Sequence, residues 1–170
     1  MLFKFKAKSF ITAGLLLAFI FLGCSKKADG GPMAPDFALE DLSGKAVSLN
    51  QFRDRIVLLD FWATWCPPCR QSIPELIDLQ KKYDDQGLVI LGVSMDDPQE
   101  VDNAEMLSFK KHFKMNYRIL RVSREVVTAY FSDGRMAIPT MFVINREGRI
   151  TDKHVGYAPG VVETSVKKIL

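Results

Sequence analysis

The sequence predicts an α/β fold with a mixed central β-sheet flanked by helices and an added β-hairpin at the start of the domain. Three observations predict this class. Short β-branched and aromatic runs alternate with segments of helical periodicity. Two strand-like runs joined by a tight turn come before the last predicted helix, and they add antiparallel strands to an otherwise parallel sheet. Hydrophobic residues make up 48% of the 170 positions, enough for one sizeable core.

The first predicted element is the β-hairpin, since positions 37–39 and 46–49 flank a turn-rich segment. A buried strand follows at Ile56–Trp62, a run of β-branched and aromatic residues. Apolar residues then recur at helical spacing over 67–84, which predicts a helix with Pro74 as an internal kink.

The second half repeats the pattern of strand followed by helix. Positions 88–95 read as another buried strand, and the acidic, polar stretch 96–105 indicates a solvated loop leading into a helix that ends at His112 or Phe113. The remaining predicted elements are a strand at 117–122, a helix at 125–131, hairpin strands at 141–145 and 150–155, and an amphipathic helix at 160–170.

Positions 1–23 have the pattern of a signal peptide. A start containing Lys4, Lys6 and Lys8 precedes an apolar run over 10–22. About 13 residues at ~1.5 Å each are too short for the ~30 Å hydrocarbon core of a bilayer, which excludes a spanning helix. The run ends in Gly23-Cys24 and resembles the lipobox of bacterial lipoproteins.

That resemblance implies cleavage before Cys24 and attachment of lipid to this cysteine, which binds the protein to the bilayer. The alternative is a plain secreted protein in which Cys24 is a free thiol. Positions 24–35 are rich in Gly, Pro, Ser and Lys and predict a tether, so the folded domain is expected at 36–170.

Charge and cysteine content exclude two classes. Without the three lysines of the signal segment, 20 of the 23 basic residues remain against 20 acidic ones, so nothing favours binding of nucleic acid. Three unevenly placed cysteines in a chain of this length are no disulfide scaffold.

The chemistry is expected at Cys66-Pro67-Pro68-Cys69, between a buried strand and a helix start. There a thiolate gains from unpaired N–H groups and the positive end of the helix dipole, so Cys66 is expected to attack and Cys69 to resolve the mixed disulfide. A lone C-x-x-C also suits half of a zinc site. No second Cys or His pair stands at ligand spacing, which argues against a closed zinc site and for no metal.

The flanking residues carry a family resemblance. Positions 60–69, Asp-Phe-Trp-Ala-Thr-Trp-Cys-Pro-Pro-Cys, resemble the active-site strand and turn of the thioredoxin superfamily, and 137–140, Ala-Ile-Pro-Thr, resemble its cis-proline loop. The resemblance runs from 35 to 170 and is nearest to the extracytoplasmic redoxins, which include thioredoxin-like lipoproteins and cytochrome c maturation factors. It implies a redox-active disulfide with no other cofactor.

The resemblance also assigns further site residues. The Ile138–Pro139 bond is expected to be cis, so that the Ile138 backbone pairs with an incoming peptide as an added strand. Trp65, Pro67 and Pro68 join this substrate-binding set, while Trp62 is expected in the core.

Asp60 is expected to act with the two cysteines. A carboxyl in a hydrophobic strand should have a raised pKa. The matching carboxylate in thioredoxins lies behind the resolving cysteine and moves its proton; the alternative is an Asp turned outward at a strand end. Some cytochrome-maturation relatives replace this Asp and carry a Glu where this chain has Ser72. Both departures favour a general disulfide reductase.

Two other functions stay open on the sequence. A thiol peroxidase of the peroxiredoxin type would place a Thr three residues before its reactive Cys, whereas Thr64 stands two before Cys66. A copper chaperone would use the two cysteines and a distant His such as His154, but such proteins have three residues between the cysteines and this chain has two.

The predicted direction of the reaction is reduction. Pro67 and Pro68 lack an N–H, leaving Cys69 as the only donor within the motif that can stabilise a Cys66 thiolate. A reductant outside the cytoplasm needs electrons from a membrane thiol carrier. The expected partners are therefore disulfide-containing extracytoplasmic proteins, that donor and, through Cys24, the lipid bilayer on the periplasmic side.

Overall fold

The computed structural model describes residues 30–132 and 134–170. The expected signal peptide, Cys24 and most of the expected tether lie outside these residues. The elements in chain order are β1 (Ala38–Glu40), β2 (Ala46–Ser48), β3 (Ile56–Trp62), α1 (Pro67–Tyr83), β4 (Leu88–Ser94), α2 (Asn103–His112), β5 (Arg118–Arg121), α3 (Arg124–Tyr130), β6 (Thr140–Ile144), β7 (Ile150–Val155) and α4 (Val161–Lys167). All predicted elements are present, with ends that differ by a few residues.

The central sheet has five strands in the order β5-β4-β3-β6-β7. Strands β3, β4 and β5 are parallel, because a helix connects each to the next, whereas β6 and β7 run antiparallel. The predicted mixed sheet is confirmed. The β1–β2 hairpin forms a separate two-stranded sheet, and a bridge between Asp41 and Leu120 attaches it to the β5 edge.

Each face of the sheet buries a hydrophobic core. Leu58 and Trp62 of β3 point into a core covered by α1, α2 and α4, which also contains Cys66 and Cys69. The alternate residue Phe61 points to the opposite face, where its ring packs against three others in the core beneath α3 and the hairpin. The strand is buried on both sides, which explains its continuous apolar sequence.

The described chain enters the fold along β7. The Gly31 N–H donates to the carbonyl of Ile150 at 2.9 Å, and the Ile150 N–H donates to the carbonyl of Pro32 at 2.9 Å. These residues, within the stretch expected as tether, therefore extend the hydrogen bonding at this edge.

Helix ends follow their sequence signals. Asp102 and Glu105 form a complete capping box at the start of α2. Pro74 lies inside α1, which continues past it as one element of 17 residues. No helix within the described part of the chain is long and apolar enough to cross a membrane.

Candidate functional site

The C-x-x-C motif lies where the buried β3 strand ends and α1 begins. Cys66 is the N-cap of α1, and Pro67 and Pro68 occupy its first two positions. Proline fits there because these helical positions have no intrahelical partner for an N–H. The Cys66 and Cys69 sulfurs are joined in a disulfide, with their Cα atoms 5.3 Å apart. The local sequence thus holds the redox pair on a rigid helix start.

One backbone donor inside the motif faces the Cys66 sulfur. The Cys69 N–H points at Cys66 Sγ, with 3.3 Å between nitrogen and sulfur. Pro67 and Pro68 have no N–H to add, as the sequence predicts. Cys66 and Cys69 are only 3% and 1% exposed, so the disulfide is almost entirely buried.

The two tryptophans have the environments expected of them. Trp62 is 1% exposed and packs against Phe109 in the core. Trp65, directly before Cys66, is 64% exposed, and Pro67 is exposed beside it while Pro68 is half-buried. Trp65 thus places a large exposed apolar ring next to the cysteines.

The Ile138–Pro139 peptide bond is cis, as predicted. Ile138 packs against both hydrophobic cores, one of which contains the two cysteines. Pro139 is buried, and its carbonyl accepts the Gly156 N–H at 2.8 Å. The same loop carries Met136, which is 56% exposed and which the sequence reasoning did not single out; its place two residues before Ile138 was the available signal.

Asp60 is buried rather than turned outward. It is 2% exposed, lies between Gly92 and Met141 in the sheet, and its Oδ1 atom has no hydrogen-bond partner. Burial raises the pKa of this carboxyl to about 7. Because alternate residues of a strand share a face, Asp60 points with Leu58 and Trp62 into the core that contains Cys69. A carboxyl of this kind can accept or release a proton near neutral pH.

Asp96 corrects one expectation. The sequence places it in a solvated acidic loop, but it is 2% exposed. Its carboxylate accepts the Thr64 N–H at 3.1 Å, the Thr64 hydroxyl at 2.6 Å and the Ser94 hydroxyl at 2.8 Å. These bonds connect the segment before Trp65 and Cys66 to the end of β4. Only the pairing of β3 with β4 brings these residues together, so charge density alone was misleading.

The same bonds bear on the peroxidase alternative. The Thr64 hydroxyl donates its proton to Asp96, so that proton is not directed at Cys66. Ser72, at the position where some relatives carry Glu, is buried and donates to the Cys69 carbonyl at 2.8 Å. The surroundings of Cys69 therefore contain a neutral hydroxyl at that position.

His154 is paired within the fold. Its Nε2 atom lies 3.0 Å from the Ser165 hydroxyl on α4. Across residues 30–132 and 134–170, no three His, Cys, Asp or Glu side chains lie together as a metal site requires.

Comparison with known proteins gives a consistent family. Residues 31–153 match the AhpC/TSA family. The chain is 36% identical over 135 residues to a thioredoxin-like protein YneN of Bacillus subtilis, covering 78% of this chain and 76% of that protein. It is 32% identical over 158 residues to the thiol-disulfide oxidoreductase ResA of the same species, covering 86% and 84%.

A solved structure agrees. The thioredoxin domain of a thiol-disulfide oxidoreductase from Bacteroides vulgatus superposes with a TM-score of 0.70 at 27% identity, covering 83% of this chain and 98% of that one. Fold, redox pair and relatives all point to one activity, exchange of thiols and disulfides on disulfide-containing proteins. The chain belongs to the AhpC/TSA family, in its thioredoxin-like branch of ResA-type thiol–disulfide oxidoreductases.

Proposed function

We propose that this protein reduces disulfides of extracytoplasmic proteins, held by lipid on Cys24 to a bacterial membrane and supplied with electrons by a membrane thiol carrier. One observation supports the proposed direction: within the Cys66–Cys69 motif, only the Cys69 N–H points at Cys66 Sγ. A strongly oxidising disulfide needs a very stable thiolate in its reduced form, and few donors give little such stabilisation.

The proposed reaction passes two electrons to the substrate. The Cys66 thiolate attacks a substrate disulfide, forms a mixed disulfide and releases one substrate thiolate. Cys69 then gives its thiol proton to the Asp60 carboxylate, and its sulfur attacks Cys66 Sγ. The second substrate thiolate leaves, and the Cys66–Cys69 disulfide remains. A membrane dithiol restores the reduced pair by supplying two electrons and two protons.

The proposed substrate groove lies around the exposed ring of Trp65. Pro67 and Pro68 border it on the helix side. The Ile138 backbone, ahead of the cis bond to Pro139, would pair with an extended substrate segment as an added strand. Main-chain pairing of this kind suits a reductase that acts on several proteins, because it does not depend on the substrate's side chains.

The direction is tested by equilibrating the purified protein with glutathione and with dithiothreitol. We expect a midpoint nearer to about −270 mV than −120 mV. A midpoint above about −180 mV would make the protein an oxidant or isomerase. A Cys69→Ser variant should stall at the mixed disulfide and capture its substrates, with Cys66→Ser as the matched variant that captures nothing.

The activity itself is measured separately, as reduction of insulin disulfides compared with consumption of hydrogen peroxide. Fast reduction of insulin with slow consumption of peroxide is expected, since the Thr64 hydroxyl proton is held by Asp96. The opposite order of rates would favour the peroxidase.

A further inference from the structure

Three buried polar atoms without hydrogen-bond partners lie on the face of the sheet that carries Asp60 and its register partner Gly92. Within the described residues, Asp60 Oδ1, Trp62 Nε1 and the Tyr117 hydroxyl are buried and form no hydrogen bond. Asp60 and Trp62 point to one face of β3, and Trp62 and Tyr117 belong to the same core. Buried polar groups in folded proteins are nearly always paired with protein or with ordered water, so three orphans on one face call for a ligand.

The geometry brings these groups together around one point. A Cβ atom built on Gly92 would lie 2.9 Å from Trp62 Nε1 and 3.3 Å from Tyr117 Cε2. The Trp62 nitrogen and the Tyr117 ring edge that adjoins the hydroxyl-bearing carbon therefore both pack directly over Gly92, which brings them close to each other. Gly92 is also the direct neighbour of Asp60 in the parallel β3–β4 register, where side chains of paired residues share a face.

We propose that the unpaired polar atoms of Asp60, Trp62 and Tyr117 bind one buried water molecule between them, and that Tyr117 acts through this water as a positioning residue for Asp60. The indole N–H donates to the water, the water donates to the Asp60 carboxylate, and the Tyr117 hydroxyl completes its coordination. Three polar partners are the usual number for a buried water. Any side chain larger than glycine at position 92 would collide with the Trp62 nitrogen and press on the Tyr117 ring, and so would separate these groups.

The electrostatics agree with this placement. The pKa of Tyr117 is raised well above its ordinary value, first by burial and then by the nearby Asp60 carboxylate. The titratable groups facing Asp60 from neighbouring elements are Cys69 at the start of α1, Tyr117 ahead of β5, and His154, which shares its sheet row through Met141. No charged side chain contributes to the raised pKa of Asp60, whose cause is burial.

The inference rests on the proposed role of Asp60 for its catalytic meaning. A water that donates to the carboxylate favours the ionised form, the form that takes the Cys69 proton. Loss of the water should therefore move the pH at which Asp60 ionises upward. The pH dependence of the disulfide-exchange rate should shift to higher pH by the same amount.

The experiment compares Tyr117→Phe with Tyr130→Phe. Both tyrosines are buried, but the Tyr130 hydroxyl donates to the Pro35 carbonyl on the opposite face of the sheet. The Asp60 pKa is measured by carboxyl carbon NMR on the reduced mature protein, with Asp60→Asn identifying the signal. We expect Tyr117→Phe to raise it by about half a unit to one unit, the size of one hydrogen bond, and Tyr130→Phe to leave it unchanged.

A crystal structure of the wild-type mature protein provides a test that needs no variant. An ordered water within hydrogen-bond distance of Asp60, Trp62 and Tyr117 is expected; a dry site, or an unchanged Asp60 pKa in Tyr117→Phe, overturns the proposal. Neither readout depends on disulfide exchange. If Asp60→Asn exchanged disulfides at the wild-type rate, the catalytic role of Asp60 would fail while the hydration site stood.

Discussion

At the scale of single residues, two buried carboxyls show opposite solutions to the same problem. Asp96 is surrounded by donors from Thr64 and Ser94, which replace the water it loses on folding. Asp60 has an oxygen with no protein donor, so burial raises its pKa to about 7. The first carboxyl suits a structural role and the second a proton-transfer role.

Asp60→Asn should change how stability depends on pH. The pKa of Asp60 is raised from about 3.9 in the unfolded chain to about 7 in the folded one. The contribution of the protonated Asp60 to the free energy of unfolding is therefore fully present below pH ~4 and is lost as the pH rises through 7. Between pH 4 and 8 the wild type should therefore lose about 4 kcal/mol relative to Asp60→Asn. Denaturant unfolding across this range measures the difference.

The matched control is Asp78→Asn, an exposed carboxylate on α1. Over the same pH range, the stability difference from wild type should change far more for Asp60→Asn than for Asp78→Asn. A constant difference for Asp60→Asn would mean that Asp60 ionises in the folded protein as easily as in the unfolded chain.

Asp96→Asn should weaken the segment that positions Trp65 and Cys66. An amide nitrogen in place of one carboxylate oxygen would face donors, and the charge that strengthens the remaining bonds would be gone. We expect a loss of about 1.5–3 kcal/mol in the free energy of unfolding and slower disulfide exchange. Glu100→Gln, an exposed change in the same stretch, serves as the control; equal stability of the two variants would argue against the role of Asp96.

At the scale of elements, the start of α1 controls the redox pair. Most helices present several free N–H groups at their first turn, but here the first two positions are proline. The Cys69 N–H is therefore the only N–H group within the motif that donates to Cys66 Sγ. Under the proposed direction of the reaction, the element that positions the cysteines also limits the stability of the thiolate.

Pro68→Ala should restore one N–H close to the Cys66 sulfur. We expect the pKa of Cys66 to fall by about one unit and the potential to become more oxidising by about 30 mV, since both correspond to about 1.4 kcal/mol. Thiolate absorbance against pH and equilibration with glutathione measure the two quantities. Pro74→Ala, nearly two turns further along α1, should change neither; a Cys66 pKa unaffected by Pro68→Ala would remove this explanation of the direction.

A side chain of α1 also satisfies backbone groups of β4 that have no strand partner. Strand β4 begins at Leu88, whereas its pairing with β5 starts only at Leu91. The Gln80 side chain of α1 covers this open stretch, accepting the Ile90 N–H at 2.7 Å and donating to the Leu88 carbonyl at 3.1 Å. An amide side chain thus takes the place of a neighbouring strand.

At the scale of the whole molecule, both edge strands of the central sheet have hydrogen-bonding partners outside the sheet. The β1–β2 hairpin bridges to β5, and the chain at Gly31–Pro32 is hydrogen-bonded to β7. The described part of the chain therefore begins along the β7 edge.

The proposed anchor makes a prediction about the mature protein. Mass spectrometry of protein purified from membranes should give an N-terminal Cys24 peptide that carries diacylglycerol and an acyl chain. Cys24→Ala should release the domain from the membrane without changing the reduction of insulin, because the redox pair is separate from it. An unmodified N-terminus cleaved at another position would contradict lipidation.

The sequence by itself determined the order of elements and the position of the redox pair, and its resemblance to the thioredoxin superfamily predicted the cis bond before Pro139. The elements follow from local periodicity, and the redox pair and the cis bond follow from short motifs of residues that are neighbours along the chain. Strand runs with continuous apolar residues are expected to be buried on both faces, which favoured burial of Asp60 and left an Asp turned outward at the strand end as the alternative.

The tertiary structure alone decided the surroundings of that site. Asp96 meets Thr64 across 32 positions, and Gly92 meets Asp60 only through the register of β3 against β4. Tyr117 reaches the same place from the far side of β4. Such contacts depend on strand order and register, which long-range packing sets. Local sequence patterns carry no signal for them, because a buried and a solvated Asp look alike until the strands are paired.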